Sequence, residues 1–336
     1  MIKIAIAGFG KIGQVRAKEI EKNAHTRLVA IYDINKPIKL EEGIKFCSSF
    51  EELLIQDIDA VFVCAFNNVL ADYTTQALKA GKHVFCEKPP ARTSEELKAV
   101  IATEKETGLI LKYGFNHRYH YSVMEAKKLI DSGSMGKLLW LRGVYGKAGS
   151  IDYHKNWRNY KEYSGGGILI DQGIHMLDLM RYFSGQDFRQ ISSFVTTSYW
   201  DIEAEDNAFA IMQSDEKITA MLHSSATQWK HKFLLEMCFE EGYVNLDGIL
   251  SGTRSYAPES LVVGRREFED VTFAMGKPKE NVTWFENDDS WELEITEFVD
   301  AIMGNGTIKN GTSEDAYETL RLVERIYENS GFYSEK

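Results

Sequence analysis

The sequence predicts an α/β chain, with a doubly wound parallel sheet first and, after it, an α+β domain built on a large, mostly antiparallel open sheet. Two observations carry this. Over the first third, continuous apolar runs alternate with amphipathic stretches, the rhythm of βαβ units whose strands are buried on both faces. Beyond residue 121 strand-like runs follow one another directly, joined by turns, which indicates antiparallel pairing. The length of 336 residues suits two cores rather than one. The change of pattern alone sets the boundary, dividing the chain into 1–121 and 122–336.

The elements follow in order. Strands are expected at Ile2 to Ala7, Leu28 to Tyr32, Ala60 to Ala65, His83 to Cys86 and Ile110 to Tyr113. Helical patterns lie between them at Ile12 to Lys22, Val69 to Ala80 and Ser94 to Thr107, the last with Thr93 or Ser94 as a capping hydroxyl. The second part opens with a helix over Val123 to Asp131. Strands are then expected at Lys137 to Lys147, Arg189 to Trp200, Asn207 to Gln213, Lys217 to Ser225 and Phe233 to Glu240, with a turn at Ser214-Asp215-Glu216. Two apolar stripes close the chain: Trp291, Ile295, Phe298 and Ile302, then Ala316, Leu320, Val323 and Tyr327, with Gly331 as a cap. The last helix is a candidate to pack back on the first domain.

Composition narrows the function. No apolar run approaches the ~20 residues that span a bilayer, and the first residues read as a short strand rather than a signal peptide. A cytoplasmic protein is expected. Cys47, Cys64, Cys86 and Cys238 show no CxxC spacing and read as buried thiols of a reducing compartment. A net charge of −11 argues against nucleic-acid and membrane partners. No metal is expected, because His117 and His120 come without a HExxH or Cys/His ligand set.

Three motifs carry chemistry. Gly8-Phe9-Gly10-Lys11-Ile12-Gly13 fits GxGxxG between a strand and a helix, where glycines let a pyrophosphate approach helix N-terminal amides. Asp33 ends the second strand, where a carboxylate accepts both ribose hydroxyls and repels a 2′-phosphate, favouring NAD over NADP. Glu87-Lys88-Pro89 follows a strand at the carboxyl edge of the sheet, where ligands bind in open α/β folds; alone it also reads as a solvated turn. In Gly165-Gly166-Gly167-Ile168-Leu169-Ile170-Asp171-Gln172-Gly173-Ile174-His175, a helix would make Asp171 and His175 i,i+4 neighbours, with Asp178 a turn further on. Buried aspartate and histidine are costly unless paired, and catalysis is one reason to keep them; a merely satisfied pair is the other. Gly173 suggests that something approaches the backbone closely.

Together these motifs, with Ala80-Gly81-Lys82-His83-Val84 leading into Glu87-Lys88-Pro89, resemble the Gfo/Idh/MocA family of glucose-fructose oxidoreductases and inositol dehydrogenases along essentially the whole chain. The resemblance implies a Rossmann domain, a bound nicotinamide cofactor, a C-terminal sheet that pairs subunits into homodimers or homotetramers, and a catalytic set of Lys88, Asp171 and His175. Ala65, Asn67, Glu87 and Lys88 are implied near the cofactor beside the glycine turn. Ala65-Phe66-Asn67 and Leu70 depart from the family's Thr-Pro-Asn stretch and following His, so that loop does not carry over in detail. Asn116, His117 and Arg118 occupy the family's crossover near nicotinamide and substrate.

The residue types suggest a mechanism. Alcohol oxidation needs a base for the hydroxyl proton and a cation for the developing alkoxide. His175 suits the first role and Lys88 the second, with Asp171 orienting His175. Between His117 and Lys161 lies a basic and aromatic island that includes Arg118, Arg142, Tyr145, Lys147, Tyr153, Trp157 and Arg158. Such groups favour an anionic sugar, with a nucleotide-linked sugar as the leading expectation and Asn116, His117, Arg118, Tyr145, Trp157 and Arg158 as substrate contacts. Scattered solvated charges are the alternative. The other readings are a neutral-sugar or inositol dehydrogenase, an NAD-dependent glycoside hydrolase and a non-catalytic ligand sensor.

Overall fold

Parallel strands build the first of two units in the computed structural model, which describes residues 1–37, 39–267, 276 and 278–333. That unit comprises Met1–Asn116, Glu162–Gly165 and Ser290–Arg321; the second comprises His117–Lys161, Gly166–Asp289 and Leu322–Lys336. A single cut near residue 121 therefore does not describe the chain. The change of pattern near that point locates one crossing, but Ser290–Arg321 returns to the first unit.

The first unit's sheet runs β3-β2-β1-β4-β5-β6, made of β1 (Ile2–Ala7), β2 (Thr26–Tyr32), β3 (Lys45–Cys47), β4 (Ala60–Val63), β5 (His83–Cys86) and β6 (Leu111–Tyr113), all parallel. Helices α1 (Lys11–Lys22), α2 (Phe50–Leu54), α3 (Asn67–Lys79) and α4 (Ser94–Thr107) accompany it. Thr93 caps α4 by accepting the Glu96 amide at 3.3 Å. The short β3 and α2 were not anticipated; their apolar residues are too few to show a period. The unit's core joins Ile4, Ile6, Ile31, Phe62 and Phe85 to Ile295, Phe298 and Val299 of α8 (Ser290–Ile302). Phe298 stands edge-on to Phe62 and Phe85 at 5.6 and 5.7 Å. Burying that stripe explains why a late helix belongs to an early sheet. The final helix α9 (Ser313–Ser330) is divided, its residues to Arg321 in this unit and the rest in the second.

Among the described residues the second unit holds an eight-stranded sheet in the order β14-β13-β12-β11-β7-β10-β9-β8. Its strands are β7 (Leu138–Gly146), β8 (Phe188–Thr196), β9 (Asn207–Ser214), β10 (Thr219–Ser225), β11 (Lys232–Phe239), β12 (Gly242–Asp247), β13 (Glu259–Arg265) and β14 (Glu280–Phe285). Among the described residues only the β7–β10 pair is parallel. Helices α5 (Tyr121–Asp131) and α7 (Ile174–Ser184) belong to this unit, while the short α6 (Lys161–Ser164) leads out of it. The expected strand to Trp200 ends at Thr196, because the amides of Ser198, Tyr199 and Trp200 turn to the Asp206 carboxylate. Strand β10 starts at Thr219 because Lys217 sits in the left-handed region, φ 68°, completing the predicted hairpin turn. Strands β12 to β14 were missed. Cys47 and Cys86 are buried as expected, but Cys64 and Cys238 are only partly so. No helix among the described residues is long and apolar enough to cross a membrane.

Candidate active site

At the end of β1 the chain turns at Gly8, whose φ of 93° is open to glycine without strain. A Cβ there would also lie 2.5 Å from the Cys64 carbonyl oxygen. Gly13, in the first turn of α1, sits so close that a Cβ would strike the Gly8 carbonyl oxygen. Gly10 differs, since a Cβ there meets nothing within 4 Å. One glycine makes the turn, one lets helix and strand pack, and the middle one leaves an open cradle at the amino end of α1. No side chain caps that helix. Its free amides and dipole favour an anion, so these residues fit the pyrophosphate of a dinucleotide. Lys11 is exposed and Ile12 half-buried in the same turn.

Asp33, just beyond β2, accepts from the Phe9 amide at 2.6 Å and the Asn35 amide at 2.8 Å. It therefore lies at the glycine turn, as the spacing predicts. At the end of β4, the Ala65 amide nitrogen lies 2.7 Å from where a Gly8 Cβ would be. Asn67 is buried and donates to the Ser164 carbonyl at 2.9 Å. Asn116 donates to the Ser290 hydroxyl at 3.3 Å.

Lys88 is half-buried just past β5, and the preceding Glu87 is buried. The Glu87 carboxylate accepts from Arg16 Nε at 2.6 Å, and Arg16 Nη2 donates to Glu294 at 2.7 Å. Arg16 is fully buried between the rings of Phe85 and Trp291, each 4.3 Å from its guanidinium carbon. Burial pushes the Glu294 carboxyl up to about 7; Arg16 and Lys112 oppose this and Glu87 adds to it. The Glu87 side chain thus belongs to a buried ion cluster, next in sequence to Lys88. Neither Arg16 nor Glu294 was singled out in the sequence, where each reads as one polar residue of an amphipathic helix.

In the second unit, Leu169–Gly173 form a π-turn, closed by the Ile174 amide on the Leu169 carbonyl, and α7 continues from it. The expected regular helix is corrected here, and simple i,i+4 spacing does not relate Asp171 to His175. Gly173 does make room for a neighbour: its Cβ would lie 3.0 Å from Ser224 on β10 and 2.9 Å from Leu169. The glycine run is also explained by packing. Gly165 backs onto Arg92 in the first unit, while in the second Gly166 and Gly167 leave space for the Tyr327 hydroxyl and the Glu205 backbone. Buried Glu205 accepts from the amides of Gly167 and Leu169 at 2.8 and 3.0 Å and from Tyr327 and Tyr333 at 2.7 and 2.8 Å. Burial still outweighs those bonds and raises its pKa.

His175 is buried and stacks on His117, with ring centroids 3.8 Å apart and planes at 15°. His117 Nε2 meets the Tyr145 hydroxyl at 3.0 Å, and burial raises the pKa of that phenol. Asp171 accepts from Arg158 Nε at 3.1 Å, with Lys147 Nζ at 3.9 Å. Trp157 underlies the Arg158 guanidinium at 4.4 Å. The structure therefore brings His117, Tyr145 and His175 together, and Asp171 with Trp157 and Arg158. The basic island is only partly a cluster. Arg118 makes a buried two-bond pair with Asp178 at 2.7 and 2.9 Å, and Arg142 pairs with Glu236 across β7 and β11.

Residues 2–115 match the oxidoreductase family with an NAD-binding Rossmann fold, and residues 123–245 match the GFO/IDH/MocA C-terminal domain. The chain belongs to the Gfo/Idh/MocA family of oxidoreductases. An uncharacterized oxidoreductase of Bacillus subtilis, YrbE, is 26% identical across 98% of this chain and 95% of its own. The myo-inositol 2-dehydrogenase of Thermotoga maritima is 30% identical across 56% of this chain and 57% of its own. Among solved structures, levoglucosan dehydrogenase in complex with NADH and L-sorbose superposes with a TM-score of 0.83 at 20% identity, over 98% of this chain and 97% of that one. A UDP-N-acetylglucosamine 3-dehydrogenase from Acidithiobacillus ferrooxidans gives 0.81 at 18%, over 99% of each. At those identities the two structures establish the fold alone.

Proposed function

We propose that this oxidoreductase dehydrogenates a secondary hydroxyl of an anionic, nucleotide-linked sugar, with NAD rather than NADP as acceptor. The observation that carries it is Asp171, a single carboxylate shared by Arg158 and Lys147. Arg158 and Lys147 converge on this one carboxylate, and their charge suits a phosphate or uronate beside the reacting sugar. When bound, the nicotinamide supplies the hydride acceptor. His175 takes the hydroxyl proton, buried and braced against the His117 ring. Lys88 stabilises the alkoxide oxygen, and Asp171 orients the substrate side of the site. Asp33 favours NAD because its carboxylate repels a 2′-phosphate.

Absorbance at 340 nm with UDP-N-acetylglucosamine, methyl glucoside and myo-inositol, each with NAD and with NADP, tests the reading. Turnover should be fastest with the nucleotide sugar and NAD, and Lys88→Ala and His175→Ala should each lower kcat about 10²- to 10⁴-fold. Wild-type rates in both variants would remove the catalytic assignment; oxidation of unphosphorylated sugars alone would remove the anionic one. A neutral polyol is the second reading, favoured by the inositol dehydrogenase relative.

Subunit pairing through the open sheet is part of the proposal. Phe194 and Phe209 are paired across β8 and β9, Ile211 and Met221 across β9 and β10, and all four are exposed. An apolar stripe on an open sheet suits a two-fold partner of the same kind. Light scattering should give a dimer or tetramer that Phe194→Asp with Ile211→Lys dissociates; a wild-type monomer would discard the pairing.

A further inference from the structure

We propose that Tyr199, Trp200 and Trp229, backed by buried Tyr153, form a shelf for the base of a nucleoside diphosphate, with Lys147 and Arg158 taking its phosphates. The inference deepens the reading above and rests on Asp171 and His175 as the reacting end of the site. Tyr153 and Trp200 lie 4.8 Å apart between ring centroids, Tyr199 and Trp200 5.1 Å, Tyr199 and Trp229 4.7 Å. Tyr199 is 64% exposed and Trp229 57%, while Trp200 is half-buried against a small core that holds Tyr153, Ile168 and Ala226. Two large rings left in water side by side, rather than singly, point to something that covers them.

The shelf is built, not incidental. Asp206, fully buried, accepts the amides of Ser198, Tyr199 and Trp200 at 2.8, 2.8 and 3.0 Å, fixing the segment that carries two of the rings. The Trp200 indole donates to the Ala226 carbonyl at 3.0 Å, and Gly149 lacks the Cβ that would strike the Trp200 ring. Trp229 holds a left-handed backbone at φ 56°, a conformation that persists where its surroundings demand it.

Charge then selects the ligand. Lys147 Nζ lies 5.7 Å from the Tyr153 ring centroid and 3.9 Å from Asp171. It therefore lies within reach of both the buried back of the shelf and the reacting end, where the linkage of a nucleotide sugar would pass. A neutral oligosaccharide would stack on the same rings and hydrogen-bond those side chains, but it brings no negative charge to match that cation or Arg158. A planar base joined to the sugar through phosphates uses all of them.

Calorimetry with the full chain and UDP tests this, because UDP has no sugar to oxidise and its binding is independent of turnover. UDP should bind with an affinity that falls as salt rises. Trp229→Ala and Tyr199→Ala should each weaken it about tenfold, and Tyr199→Phe should restore most of the loss. Cellobiose should bind far more weakly than UDP. No UDP binding by the wild type, equal binding by both alanine variants, or ring-dependent binding of cellobiose in place of UDP would overturn the assignment. An absence of NADH formation with every sugar, alongside ring-dependent UDP binding, would instead remove the dehydrogenase reading and leave the shelf standing.

Discussion

The glycine turn of the first unit and the π-turn of the second are both ligand-facing candidates, but they are made of different material. Gly8, Gly10 and Gly13 act by having no side chain, and the groups they offer are backbone amides. Around the π-turn the work falls to buried side chains: Glu205 on the amides of Gly167 and Leu169, Asp206 on those of Ser198 to Trp200, and Asp178 on Arg118. A backbone site should tolerate substitution except where atoms collide. A site held by buried carboxylates should fail through uncompensated charge and unsatisfied amides.

The largest effect is expected where a buried charge loses a carboxylate. Asp178→Ala strips Arg118, 3% exposed, of a carboxylate that accepts two of its hydrogen bonds. A loss of about 3–5 kcal/mol is expected in urea unfolding. A loss below about 1 kcal/mol would mean that the second site is not held by its buried pairs, and the contrast would fall. Next come the glycines. Gly13→Ala should cost about 1–3 kcal/mol, because its Cβ meets a backbone oxygen that has little room to move. Gly10→Ala should change stability by less than about 0.5 kcal/mol, since its Cβ enters open space, yet weaken NADH at least tenfold in a fluorescence titration. Equal NADH affinity in wild type and Gly10→Ala would show that the cradle is not where the cofactor lies.

The same contrast explains what was legible. The glycine turn, Asp33 and five of the six parallel strands are local patterns of spacing and apolar runs, and all were readable. Lys88, Asp171 and His175 are proposed from motifs. Their surroundings were not legible. In Glu203-Ala204-Glu205-Asp206, Glu203 is exposed and the next two acids are buried, and nothing in that short acidic run separates them. Which carboxylate turns inward depends on amides and phenols far along the chain, Tyr327 and Tyr333 among them. The π-turn escaped for a related reason, since Ser224 of a distant strand packs against Gly173. Arg118 was expected at the substrate because its charge is visible in sequence while its pairing with Asp178 is not.

The smallest effect probes a place where the first unit is built like the second. Arg16 and Lys112 face Glu87, Glu294 and Glu297, two cations against three carboxyls. Burial, with Glu87 adding to it, raises Glu294 from 4.5 to about 7. The folded chain then binds more protons than the unfolded one between those values, so this group's contribution to stability falls as pH rises through that window. The slope is at most about 1.4 kcal/mol per pH unit. Glu294→Gln keeps an oxygen for Arg16 but cannot ionise. Urea unfolding at pH 5, 6, 7 and 8 should therefore show a shallower decline in the variant, by on the order of 1 kcal/mol across the series. Parallel profiles would show that the Glu294 carboxyl is not the group that sets this slope, and that the raised pKa of the buried carboxyl is not felt in stability.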